Sequence, residues 1–153
     1  MKRHRTRPAK IGGLGRLPGV TSPNSRTSTA LSVLRGASIA TAAAAVVQFL
    51  LGGYQFTAGS ATIAQIHSIV GLVALVASIV AAVAAGLHGR AGGNRGLMFH
   101  TLGTAILILI QYALGEMASS PALVIVHMIV GVVIMVSAIA MATLSVRKPF
   151  ARA

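Results

Sequence analysis

Gln65-Ile66-His67-Ser68-Ile69-Val70-Gly71 has an echo further along the chain, Ile125-Val126-His127-Met128-Ile129-Val130-Gly131. Each lies near the start of a long apolar run. The two runs match at a constant offset of 60: His67/His127, Ile69/Ile129, Val70/Val130, Gly71/Gly131, Val73/Val133, Val76/Val136, Ile79/Ile139 and Ala82/Ala142. Apolar runs share Ile, Val and Ala by chance; a shared His with a Gly one helical turn later is more specific. The preceding runs also match, at offset 63: Leu34/Leu97, Thr41/Thr104, Ala42/Ala105, Gln48/Gln111, Leu51/Leu114 and Gly52/Gly115. The chain therefore reads as two copies of a helix hairpin in the same orientation, related by a pseudo-twofold axis along the membrane normal.

Composition sets the environment of these hairpins. Of 153 residues, 55% are hydrophobic and only Glu116 is acidic, whereas about a quarter of the residues of a soluble domain are charged. Four apolar stretches, at about 34–53, 63–86, 97–117 and 121–146, approach or exceed the roughly 20 residues that cross a bilayer. Short loops make sequential helices antiparallel neighbours, so the expected fold is all-α, a transmembrane four-helix bundle over 31–147. Residues 1–30 read as a disordered basic tail and 148–153 as a second tail. Pro121 suits the first turn of the fourth helix, Ser60 or Thr62 can cap the second, and the Gly-rich stretch 86–96 reads as a flexible connector.

The net charge of +12 is a topology signal. Eight of the 13 Lys and Arg lie at or before Arg35, Arg90 and Arg95 lie in the middle loop, and Arg147, Lys148 and Arg152 close the chain. The other two loops carry none. This positive-inside pattern puts both termini and the middle loop in the cytoplasm of a cell with a plasma (inner) membrane. The partners it implies are anionic lipids at the cytoplasmic face, with no nucleic acid. The basic segment before the first apolar run is longer than the n-region of a cleaved signal, and the match of the first and third helices argues that the first is retained. Cysteine is absent, which removes thiolate ligands, disulfides and Cys nucleophiles.

Depth brings the polar residues together. His67 and His127 lie roughly 8–10 Å below the outer end of the second and fourth helices. Gln48 and Gln111, four residues before Gly52 and Gly115, reach a similar depth from the first and third. Intramembrane polar side chains face the bundle interior, so the histidines are expected opposite each other with a Gln beside each. Two neutral imidazoles on facing helices suit the two axial positions of a haem iron. Gly71 and Gly131 leave room for a flat macrocycle, and Gln48 and Gln111 can hydrogen-bond the imidazole N–H groups or the propionates. The same pattern is also met by a duplicated structural hairpin whose His residues only bond within the bundle and whose Gly residues serve packing. His100, near the inner end of the third helix, is too far along the axis to join the layer. Glu116 reads as a helix terminus, and Tyr54 and Tyr112 as an outer aromatic belt.

The combination Gln111-Tyr112-Ala113-Leu114-Gly115, a short outer loop and His127, repeated as Gln48-Phe49-Leu50-Leu51-Gly52 and His67, resembles one half of haem A synthase. That family is built from two four-helix halves, each able to hold a haem between histidines of its second and fourth helices. The resemblance covers about 34–146 and implies His67 and His127 as axial ligands. The acidic residue that precedes the His in the family's catalytic half is missing, with Ala64-Gln65-Ile66 in its place, and so are the outer-loop cysteines. The resemblance thus implies a b-type haem holder for electron transfer or haem handling, with a redox or membrane protein partner, rather than an enzyme that oxidises haem. The alternative is a cofactor-free accessory or assembly subunit.

Overall fold

The computed structural model describes residues 25–147; the tail 148–153 and the first 24 residues lie outside it. Four helices follow one another: α1 (Ser25–Ala58), α2 (Ala61–Arg90), α3 (Arg95–Glu116) and α4 (Pro121–Val146). Each packs against its chain neighbour and α1 also packs against α4, so the helices form a closed ring with α2 and α4 on one diagonal. All four are long and apolar enough to cross a membrane. Their outward faces carry large apolar side chains such as Val33, Ile69, Val83, Leu109 and Val136, a surface that water would not tolerate and lipid accepts. The chain is thus a multi-pass membrane protein in the form of a four-helix bundle.

Three helix boundaries differ from expectation, each for a local reason. Helix α1 begins at Ser25, inside the segment expected as a disordered tail, because no Gly or Pro interrupts 25–35. It also runs through Gly52-Gly53, where it was expected to stop, since an interior Gly costs a helix only about 1 kcal/mol. It ends instead at Gly59, whose positive φ of 48° supplies the left-handed stop. Helix α2 continues to Arg90, so the expected connector 86–96 shrinks to 91–94, a turn built on Gly92 at φ 88° and on the Gly93 N–H bonded to the His88 carbonyl at 2.9 Å.

The caps follow their sequence signals unevenly. Ser120 accepts from the Leu123 N–H at 3.4 Å, just ahead of Pro121 in the first turn of α4. Asn94 caps α3 through the Leu97 N–H at 3.2 Å. Ser60 occupies the N-cap position of α2 but its side chain makes no capping bond, and Thr62 lies within the helix. At the same end as the 91–94 turn, Arg35 of α1 donates from Nε to the Ser145 carbonyl at 3.0 Å. That carbonyl is one of the last four of α4 and lacks an intrahelical donor, so a guanidinium there satisfies it and complements the helix dipole.

The bundle is tightly packed at this end only. Leu34, Ala81, Ala84, Ala85, Leu97 and Met141 form one buried cluster, and Ser38, Thr41, Ser78, Thr101 and Thr104 are buried above it. Most of these hydroxyls donate to carbonyls one turn back, as Thr41 does to Ala37 and Thr101 to Leu97, both at 2.8 Å, which satisfies them without spreading the helices. Towards the other end burial stops: α4 has no buried residue before Ile134, α1 none after Ala45, α3 none after Ile108 and α2 none before Gly71. Since Met141 is fully buried, Met141→Ala should lower unfolding stability in detergent by on the order of 2 kcal/mol. Val136→Ala, on the outward face, should leave the denaturation midpoint nearly unchanged.

Candidate functional site

Where packing stops, the four helices enclose a cavity of 1270 Å³ lined by the polar layer: Gln48, His67, Gln111 and His127, with Gly52, Gly71, Gly115 and Gly131. The diagonal placement of α2 and α4 brings the two imidazoles together at its centre. Their ring centroids are 6.1 Å apart and their planes are inclined by 64°. All six residues singled out from sequence therefore meet in one place.

Each polar side chain lies on a glycine of the partner helix in its hairpin. A Cβ on Gly52 would stand 3.3 Å from His67 Cε1, and one on Gly115 would stand 3.1 Å from His127 Cε1. In return, a Cβ on Gly71 would stand 2.5 Å from Gln48 Nε2 and one on Gly131 would stand 3.0 Å from Gln111 Nε2. The glycines one turn below the histidines were expected to clear space for a macrocycle; the space they clear is taken by the Gln amides. The glycines that seat the imidazoles are Gly52 and Gly115, which sequence reasoning assigns no role in the site. Their signal was present in the Gly52/Gly115 match at offset 63.

The Gln residues do not bond the imidazoles. Gln111 donates from Nε2 to the His127 backbone carbonyl at 2.8 Å, which ties α3 to α4, while the Gln48 side chain makes no hydrogen bond among the described residues. The layer is left short of partners: Nδ1 of His67 and of His127, and Oε1 of Gln48 and of Gln111, are buried with none. Buried polar atoms without partners are rare in native proteins and ask for an explanation. Four of them around one cavity supply it with two amide acceptors and two imidazole nitrogens.

The remaining candidates fall elsewhere. His100 donates from Nε2 to the Ser137 carbonyl at 3.2 Å. Beside it Thr104 donates to the His100 carbonyl at 2.9 Å and shares a 2.7 Å hydrogen bond with the Ser137 hydroxyl. This network joins α3 to α4 on the packed side of the cavity. Glu116 is the last residue of α3 and lies exposed at the cavity rim. Tyr112, expected in the aromatic belt, instead lines the cavity, with Cδ2 3.6 Å from where a Gly71 Cβ would stand. Among the described residues no group of three or more His, Cys, Asp or Glu could hold a metal ion. Comparison with protein families, curated proteins and solved structures finds no match for the chain. The unequal bonding of the two Gln residues gives a direct check. Gln111→Leu should lower thermal stability in detergent by about 1 kcal/mol, the worth of one interhelical hydrogen bond, and Gln48→Leu by less; the reverse order would contradict the assignment.

Proposed function

We propose that the chain is an inner-membrane protein that holds one b-type haem between His67 and His127 and serves electron transfer or haem handling. The observation that carries this reading is the meeting of two imidazoles, 6.1 Å apart, inside a 1270 Å³ cavity. Two rings that share a metal, each with a nitrogen about 2 Å from it, have centroids about 6 Å apart. The 64° between the planes is compatible with the two imidazoles holding one ion between them, since each ring would be free to turn about its own bond to it. Two histidines are too few for a bare tetrahedral ion, which takes four ligands. They suffice for haem iron, whose other four nitrogens come from the macrocycle.

The unpartnered imidazole nitrogens support the same reading, since a metal bound in the cavity would give His67 and His127 the partner that the protein itself does not. His67 and His127 would hold the iron, while Gly52 and Gly115 fix the imidazole positions by letting each ring lie on a neighbouring backbone. When bound, haem supplies a one-electron couple. His67 and His127 would orient it, and the apolar side chains on the α1 and α4 walls would limit the water on that side. The offsets of 60 and 63 in the sequence support descent from a duplicated hairpin and a relation to a single haem A synthase half. The placement of basic residues supports cytoplasmic termini and an anionic lipid surface as the inner partner.

Two measurements test this. Detergent-purified protein made with adequate haem supply should show a Soret band and sharp reduced α and β bands, lost in His67→Ala and His127→Ala; a protein that stays colourless on haem titration would instead be a cofactor-free subunit. A reporter active only in the cytoplasm should be active when fused after Arg147 and inactive when inserted at Ser119.

A further inference from the structure

The walls of the cavity differ in kind around the ring. On α1, Gly53 lies 18 residues after Arg35, five full turns, and so on the same face. Arg35 is bonded to α4, so this is the face that α1 turns to α4. Phe49 and Phe56, four residues before and three after Gly53, share it. On α4, Met128 lies nine residues before Ser137, two and a half turns, and so on the opposite side of the helix. Ser137 meets Thr104 of α3, so Met128 points away from α3, with Ile125 and Val132 beside it, and α1 is the other helix that packs on α4. These six residues line the cavity and all are exposed, Phe56 to 66% and Ile125 to 56%.

A residue that both lines a cavity and faces outward stands in an opening. The opening between the outer halves of α1 and α4 is wholly apolar. Its counterpart across the ring, between α2 and α3, is not: Ala64 and Ser68 of α2 stand there with Tyr112 and Glu116 of α3, and all four line the cavity. Between the two openings lie the Gln and His atoms that lack partners.

We infer that the cavity is open sideways to the bilayer between α1 and α4, and that its ligand is a lipid-dissolved amphiphile that arrives through this portal. The apolar body of the ligand occupies the α1–α4 side. Its polar end, carrying hydrogen-bond donors, reaches the Gln48 and Gln111 oxygens and points towards Ser68, Tyr112 and Glu116. A solute dissolved in lipid meets the apolar α1–α4 side first, whereas one from water would meet the end of the cavity lined by Ser119 and Ser120. The inference rests on the helices being membrane spans; the portal itself does not depend on whether the ligand is haem, although the donors that the Gln oxygens ask for belong to a different polar end from haem's propionates.

The chain has no Trp, so a single introduced one reports on its own site. Ile134, 5% exposed at the cavity floor, is reached by an acyl chain only through the cavity. In vesicles of brominated phosphatidylcholine, Ile134→Trp should lose fluorescence to nearly the extent of the lipid-facing Leu109→Trp. Adding Gly53→Phe, at a position where a side chain meets open space, should restore it, and adding Ser68→Phe should not. Ala74→Trp, also 5% exposed and lining the cavity, repeats the measurement should Ile134→Trp fail to fold. Reporters that stay bright in brominated lipid, or that are protected by Ser68→Phe and not by Gly53→Phe, would overturn the portal.

Discussion

The arrangement of this bundle depends on glycine giving polar side chains a place against a neighbouring backbone. Within a lipid bilayer no hydrophobic effect drives helices together, because the tails are as apolar as the side chains; association rests on close packing and interhelical hydrogen bonds. At the packed end Ala, Ser and Thr provide that closeness. At the other end four glycines do, each lying under a His or Gln from the helix beside it. The exchange is reciprocal: α1 gives a glycine to His67 and takes one from α2 for Gln48, and α3 and α4 do the same with Gly115, His127, Gly131 and Gln111. A polar side chain seated against a neighbouring backbone takes up less of the space between the four helices. The cavity is thus a product of how its walls are packed and not a defect between them.

Much of this was legible in the sequence because its signals were periodic. Hydropathy located four helices, and the Pro121 start of α4 coincided with its structural start. Counting residues from helix ends placed His67, His127, Gln48 and Gln111 at one depth, since rise per residue is fixed. The boundaries were less legible: Gly at 52–53 and at 86–96 signals a stop, yet among the described residues only Gly59 and Gly92 adopt positive φ, and the helices run on through the others. The choice of partner within the layer was also hidden. Gln111 bonds the His127 carbonyl rather than its ring, a matter of rotamer and helix separation that spacing does not encode.

The two His pairings illustrate how position decides role. His100 has a backbone carbonyl within reach on the facing helix and spends its Nε2–H there. It lies beside buried hydroxyls, where the helices are close enough to satisfy one another. His67 and His127 stand where the helices have separated, and their Nδ1 atoms find no such acceptor. The same residue type is a strut in one place and an open valence in the other, and the difference is the local spacing of the helices.

The bond from Arg35 to the Ser145 carbonyl has a mechanical consequence. It joins α1 to α4 at the packed end, where the chain supplies no covalent link between them, while neither helix has a buried residue along the cavity end of that pair. A contact near one end of two long rods acts as a pivot. A small rotation about it would become a larger displacement at Gly53, roughly 27 Å further along the helix axis. A change at a single guanidinium would therefore be felt on the opposite side of the membrane.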